Sequence, residues 1–187
     1  MSRKRFRRFI IISILLLFVG MAHADFESEV IELVNIEREA RGLHPLSYNE
    51  ELTVAARLHS QDMGDQNYFD HTSLDGREPS ERIADAGYDY QICGENIAAG
   101  YPTPEAVVDA WMSSDGHRAN ILDPDYCDIG VGYAAVAGSH FYHYWTQDFG
   151  RRIGVSECPE PVPPPSTTNI PALTGSSGTS SGGGGGG

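Results

Sequence analysis

The two ends of this chain limit its folded part to residues 25–158, about 134 positions. Residues 1–24 join five basic residues to an apolar run and the small-residue site Ala22-His23-Ala24, which is the pattern of a secretory signal cleaved after Ala24. The apolar run, residues 9–19, is shorter than the ~20 residues that a membrane-spanning helix needs, so an uncleaved anchor is the weaker alternative. Residues 159–187 begin with a proline-rich stretch and end in six glycines, so we expect a disordered tail. One domain of ordinary size remains.

The charge of the expected mature chain excludes some classes of partner. Cleavage after Ala24 would remove five of the 13 basic residues and none of the 26 acidic ones, leaving eight arginines and a net charge of −18. Such a surface repels nucleic-acid phosphates and anionic lipid. No segment after the signal is apolar enough to span a bilayer. We therefore expect a secreted protein, extracellular or periplasmic, that binds no nucleic acid and has no stable membrane span.

Helix signals occur at four places in the sequence. Apolar residues recur at helical spacing over residues 26–41, and a second helix is expected after Asn49. Pro79–Ala86 predicts a short third helix. Thr103-Pro104, a capping residue followed by proline at the first helical position, begins a fourth.

Strand signals alternate with these helices and then follow them. Tyr88–Ala98, Ile129–Val136 and Phe141–Phe149 are each expected to form strands. The turn-like segment Ala137–His140 joins the last two and predicts an antiparallel hairpin. Because the helices come first and the hairpin last, without regular βαβ alternation, the pattern favours an α+β protein.

Three cysteines would reach an oxidising compartment after export, so one disulfide is expected. We favour Cys93 with Cys127, because Cys158 follows the last predicted element and begins the proline-rich segment. The sequence does not by itself establish this pairing, and the fate of Cys158 stays open.

Four segments place polar side chains among apolar neighbours, as a site on a rigid core does. They are residues 69–76, 94–98, 116–122 and 144–150. In this order they resemble the CAP superfamily, named for cysteine-rich secretory proteins, antigen 5 and pathogenesis-related proteins, and in particular its bacterial SCP-domain members. The resemblance covers about residues 27–150. It implies an α-β-α sandwich with a central antiparallel sheet flanked by helices and a cleft at one end of the sheet.

The resemblance also implies a set of cleft residues. His71, Glu95 and His117 match the family's first histidine, first glutamate and second histidine. Zinc binding by the two histidines is reported in some members, so His71 and His117 are candidate metal ligands. The family's second glutamate would fall near Ser114 and is missing from this sequence.

Other residues have roles that follow from their own chemistry. Asn96, Asn120 and Gln147 are candidates for hydrogen-bonding the scaffold of the cleft. We expect His59 to be buried on the apolar face of the second helix, and His140 to be exposed in the hairpin turn.

Three functions remain open from the sequence. The first is an extracellular ligand-binding or interaction module whose partner is a lipid, a cell-wall component or a protein. The second is a zinc-dependent, peptidase-like hydrolase, because two imidazoles and a carboxylate suit Zn²⁺ with an open coordination position, with Glu95 as general base. The third is a structural envelope component tethered by its tail. Alternatively, His71, Glu95 and His117 only hydrogen-bond one another to tie loops to the sheet.

Overall fold

A computed structural model of the chain describes residues 26–165. The predicted signal, residues 1–24, and residues 166–187 of the predicted tail lie outside the described residues. The described helices are α1 (26–39), α2 (Glu50–Gln66), α3 (Pro79–Asp85), α4 (Pro104–Ser113) and α5 (Asp115–Ile121). The strands are β1 (Ser47–Tyr48), β2 (Tyr90–Ala99), β3 (Asp128–Ala135) and β4 (His143–Arg152). Among residues 26–165, no helix has the length and apolar character needed to cross a membrane.

Local capping explains where the predicted helices begin. The side chain of Asn49 accepts a hydrogen bond from the backbone N–H of Leu52, and Thr103 caps α4 in the same way through Ala106. These bonds satisfy backbone donors that a helix N-terminus leaves without intrahelical partners. The four predicted helices are confirmed. Helix α5 and the two-residue strand β1 are additional.

The sheet has the strand order β1-β3-β4-β2. Strand β4 pairs antiparallel with β3 on one side and with β2 on the other, which confirms the predicted hairpin. Strand β1 pairs parallel with β3, so the sheet is antiparallel except at this short edge. The other edge of the sheet is β2.

Helices cover both faces of the sheet. Helix α2 lies so close to β3 that a Cβ atom added at Gly130 would come within 2.2 Å of the backbone nitrogen of Thr53. Glycine is therefore needed where the helix backbone meets the strand. On the opposite face the core combines side chains from α1, α4, α5, β3 and β4: Val30, Val34, Val107, Trp111, Ile121, Val131, Trp145 and Phe149. This arrangement confirms the α-β-α sandwich.

The disulfide joins Cys127 to Cys158, whose Cα atoms are 5.1 Å apart, and Cys93 is a free thiol. The predicted pairing of Cys93 with Cys127 is therefore wrong. Cys93 lies opposite Gly150 of β4, and the backbone N–H of Cys127 bonds the carbonyl of the same glycine from the other side. Because β4 separates them, the two cysteines are two strand spacings apart, roughly 10 Å, which exceeds the ~7 Å Cα separation a disulfide tolerates.

The ordered chain continues beyond Cys158. The backbone N–H of Val162 donates to the hydroxyl oxygen of Ser47 at 3.0 Å, and its carbonyl accepts from the N–H of Tyr48 at 2.6 Å. Val162 therefore lies beside β1, at the edge of the sheet away from β2. The predicted tail from residue 159 thus begins with residues that the structure describes, and the rest of it lies outside the described residues.

Candidate functional site

A pocket of about 520 Å³ lies beside β2, at the edge of the sheet that no other described strand covers. Its lining comes from the loop before α3, from β2, from α4 and α5, and from the β3–β4 hairpin. The residues are Phe69, Asp70, His71, Ile97, Ala98, Ala99, Tyr101, Ala110, Trp111, Ser114, His117 and Phe141. Because β2 is an edge strand, side chains from both helical layers reach this pocket.

His71 stands on the loop between α2 and α3. Its Nδ1 lies 2.7 Å from Oε1 of Glu95, and its backbone carbonyl accepts a hydrogen bond from Arg82 at 2.8 Å. A carboxylate can only accept, so Nδ1 carries the proton and Nε2 is left for a ligand. The bond to Glu95 raises the pKa of His71 above its usual 6.5, against the lowering effect of partial burial.

Glu95 supports the pocket from beneath rather than lining it. Its side chain is only 2% exposed, and Oε2 accepts a 2.6 Å bond from Arg82 while Oε1 holds His71. Both oxygens therefore have partners within the protein. The carboxylate orients His71 and neutralises a buried arginine.

Arg82 joins the loop, α3 and β2. It donates to Glu95 and, through Nη1, to the carbonyls of His71 and Arg77 and to the hydroxyl of Ser73, at 2.8 to 3.1 Å. Sequence analysis missed this residue, because an arginine in a short amphipathic helix resembles an ordinary surface residue. In the fold its side chain is 6% exposed.

Asp148 is a second buried acid that sequence analysis did not assign to the site. It is the cross-strand partner of Glu95, and the residue is 2% exposed. Burial first, and the charge of Glu95 second, raise the pKa of Asp148 well above its ordinary value. Burial and the neighbouring Glu95 therefore both disfavour the charged form of Asp148. The sequence signal was an acidic residue on the same strand face as Tyr144 and Thr146, both fully buried.

His117 enters from the other helical layer, on α5. Ser114 ends α4 and begins α5 with extended backbone angles, so the chain changes direction just before His117. Burial lowers the pKa of His117, and the nearby charge of His71 lowers it further. The two imidazoles thus interact electrostatically across the pocket.

A chain of amide side chains fixes α5 to the sheet. Asn96 donates to the carbonyl of His117 at 3.1 Å and to Gln147 at 3.0 Å. Asn120 donates to the side chain of Asn96 at 2.9 Å and to the carbonyl of Glu95 at 3.2 Å. These bonds set the position of His117 relative to Glu95.

The remaining predicted groups lie elsewhere. His59 is fully buried, and its Nε2 bonds the carbonyl of Asp70 at 3.1 Å, which confirms the predicted burial. His140 is exposed, as predicted, in the connection between β3 and β4. Burial raises the pKa of the Cys93 thiol to about 11, so this cysteine is not an activated nucleophile.

The possible metal ligands among the described residues of the pocket are not arranged as a catalytic zinc centre requires. Within residues 26–165 no group of three or more His, Cys, Asp or Glu side chains is arranged to hold a metal ion. Both oxygens of Glu95 are engaged, so this carboxylate does not complete a set of metal ligands with His71 and His117. A catalytic zinc centre uses three protein ligands. The residues present therefore do not fit a catalytic zinc centre.

Sequence comparisons identify relatives of this chain. Residues 31–149 match the profile of the cysteine-rich secretory protein family, abbreviated CAP. The uncharacterized protein YkwD of Bacillus subtilis is 50% identical over 124 residues, which cover 66% of this chain and 46% of YkwD. The uncharacterized membrane protein YlbC of the same organism is 35% identical over 126 residues, covering 67% and 34%. The matched part thus spans less than half of either relative.

Solved structures share the fold. An extracellular protein of Bacillus anthracis containing an SCP domain matches with a TM-score of 0.62 and 32% identity, over 68% of this chain and 41% of that one. An outer surface protein of Borrelia burgdorferi matches with a TM-score of 0.60 over 65% and 89%, and at 23% identity it supports the fold alone. With the sandwich and the family match together, the predicted resemblance is confirmed. The chain belongs to the cysteine-rich secretory protein (CAP) family.

Proposed function

We propose that this protein is an extracellular binding module whose ligand occupies the pocket beside β2. The observation that carries the proposal is the imidazole pair of His71 and His117, set in apolar walls, with His71 held in place by Glu95 and Arg82. Small-molecule sites have this composition, with mostly apolar walls and a few oriented polar groups. The volume of about 520 Å³ is within the usual range for such sites.

Export is part of this proposal. The Bacillus anthracis neighbour is described as an extracellular protein. The disulfide between Cys127 and Cys158 suits an oxidising compartment, and the sequence pattern of residues 1–24 suits a secretory signal. The high negative charge disfavours nucleic acid and anionic lipid as partners.

The hydrolase alternative has less support. General-base catalysis needs a carboxylate that can accept a proton from water, but both oxygens of Glu95 are already bonded to His71 and Arg82. A catalytic zinc centre uses three protein ligands, and within residues 26–165 no group of three His, Cys, Asp or Glu side chains is arranged to hold a metal ion. The tethered structural role depends on the tail, most of which lies outside the described residues, so no observation favours it.

We further propose that the imidazole pair binds zinc without catalysing a reaction. Nε2 of His71 and the ring of His117 would supply two ligands, and the carboxylate of Glu95 would orient the first ring as a supporting partner. Calorimetric titration of chelator-treated protein with Zn²⁺ should show weak binding that His71→Ala and His117→Ala each abolish. His44→Ala is the control, because His44 does not line the pocket. Equal heats in all the proteins would contradict the assignment.

The binding function is tested by NMR of the histidine rings. Neutral oligosaccharides, short peptides and short fatty acids are titrated separately into metal-free protein labelled on its imidazole carbons. We expect at least one class to shift the signals of His71 and His117 while the signal of His44 stays in place. If none of the three classes moves either pocket histidine at millimolar concentration, the proposed function is wrong.

A further inference from the structure

The mouth of the pocket carries aromatic side chains with unusually high exposure. Phe69 is 43% exposed, Phe141 is 40% exposed and Tyr101 is 37% exposed. Phe69 and Phe141 contact each other edge to face with ring centroids 5.8 Å apart, although one precedes α3 and the other lies in the β3–β4 hairpin. Ring surface that the fold leaves in water at the rim of a pocket is available to a ligand.

The backbone holds the hairpin aromatic side chains in this position at a conformational cost. Tyr142 has a φ of 66°, the left-handed region that bulky residues rarely adopt. The turn is fixed by a 2.8 Å bond from the N–H of His143 to the carbonyl of Phe141 and by a 3.2 Å bond from the N–H of Tyr142 to Ser139. A strained backbone of this kind persists only where surrounding contacts hold it in place, and such positions are frequent at ligand sites.

The polar part of the pocket offers hydrogen bonds without a strong positive charge. Among its lining residues, Asp70, His71, Ser114 and His117 provide donors and acceptors, and none is arginine or lysine. An anionic ligand would therefore meet Asp70 and the overall negative charge of the protein without a fixed counter-charge. A long acyl chain would cover these polar groups without giving them hydrogen-bond partners.

An uncharged sugar chain satisfies both parts of the pocket. The C–H faces of pyranose rings pack against aromatic rings, and their hydroxyl groups both donate and accept hydrogen bonds. Resting on the proposed binding function, we propose that the pocket takes a neutral glycan segment. Phe69 and Phe141 stack on sugar rings, and Nε2 of His71 and the carboxylate of Asp70 form hydrogen bonds with sugar hydroxyls.

The test uses the whole chain and defined probes. The β-1,4-linked N-acetylglucosamine tetrasaccharide and cellotetraose are the neutral probes, and octanoate and tetragalacturonate are the apolar and anionic probes. Binding is measured by calorimetry and by the imidazole signals of His71 and His117. We expect a neutral tetrasaccharide to bind with its dissociation constant in the millimolar range or tighter and to shift both signals, and tetragalacturonate to bind more weakly.

Variants locate the binding surface. Phe69→Ala and Phe141→Ala should each weaken the binding of the neutral tetrasaccharide about tenfold, the size of a well-packed aromatic anchor, and Phe69→Tyr should retain it. Ile153→Ala is the matched control, because Ile153 is 70% exposed and does not line the pocket. Equal urea midpoints for all four variants would show that folding is unchanged. If an alanine variant is destabilised, the affinity of Phe69→Tyr and the imidazole signals of His71 and His117 still show whether the tetrasaccharide binds in the pocket.

The failures of the two proposals are distinguishable. If octanoate or a peptide shifts the pocket histidines and neither neutral tetrasaccharide does, the glycan assignment is wrong and the binding function stands. If a tetrasaccharide binds with equal affinity to the wild type and to the Phe69→Ala and Phe141→Ala variants, the aromatic platform is wrong. If no probe moves His71 or His117, both proposals are wrong.

Discussion

The substitution Arg82→Ala should destabilise the fold more than any exposed arginine would. Arg82 donates four hydrogen bonds, and its main ionic partner, Glu95, has a side chain that is 2% exposed. Removing one partner of a buried ion pair costs about 3 to 5 kcal/mol, because the other charge stays buried without compensation. Domains of this size have a total stability of about 5 to 15 kcal/mol. The variant should therefore lose a large share of its stability.

Urea unfolding followed by fluorescence or circular dichroism measures this loss. With an m-value of about 2 kcal/mol/M, a loss of 4 kcal/mol lowers the midpoint by about 2 M. Arg77→Ala is the control, since Arg77 pairs only with exposed carboxylates of Asp75 and Asp85, and its midpoint should match that of the wild type. The double variant Arg82→Ala/Glu95→Gln should recover part of the loss, because the uncompensated charge is removed. The reasoning is refuted if Arg82→Ala and Arg77→Ala unfold at the same urea concentration.

Three further predictions concern the acid pair, the imidazole and the disulfide. Burial raises the pKa of Asp148, so ionisation of this residue destabilises the fold increasingly as the pH rises above the unfolded value of 3.8. The urea midpoint of Asp148→Asn should therefore rise relative to that of the wild type between about pH 4 and about pH 9. Glu95 raises the pKa of His71. The His71–Glu95 pair therefore stabilises the fold fully below pH 6.5, and this contribution is lost as the pH rises through the raised pKa of His71. Glu95→Gln should lower the pKa of His71 in an NMR titration. Cys158→Ser removes the disulfide between Cys127 and Cys158, which are 31 positions apart, and should lower the free energy of unfolding in urea by about 3 to 4 kcal/mol. Mass spectrometry should find this disulfide intact in Cys93→Ser.

Each of these has an outcome that would contradict it. A constant difference between wild type and Asp148→Asn across that pH range would mean that the fold does not raise the pKa of Asp148. An unchanged His71 titration in Glu95→Gln would remove the hydrogen bond as the cause of the shift. Peptide mapping that finds Cys93 in a disulfide would overturn the observed pairing.

The sequence predicted those parts of the fold that depend on neighbouring residues. Helix starts at Asn49 and Thr103 are local, because each cap bonds a backbone group three residues away. The β3–β4 hairpin is similarly local, since one short connection sets its pairing. The strand β1 could not be predicted from two residues, because it exists only through pairing with β3, about 80 positions later in the chain.

Pairings across the sheet were not accessible from the sequence. The cysteine prediction failed because the position of β4 between Cys93 and Cys127 is a property of the strand order. The roles of Arg82 and Asp148 likewise arise from strand register and from the docking of α3, which bring them to Glu95. The placing of His71 and His117 in one pocket was inferred from the family resemblance, because the two residues are 46 positions apart.

The central claim is that the pocket beside β2 is the ligand site of this protein. A crystal structure of the protein soaked with the probe that binds best tests this directly. We predict ligand density against the exposed faces of Phe69 and Phe141, within hydrogen-bond distance of Nε2 of His71. Density found instead on the groove where Pro161–Pro164 lies against α1, with the pocket beside β2 empty, would contradict it.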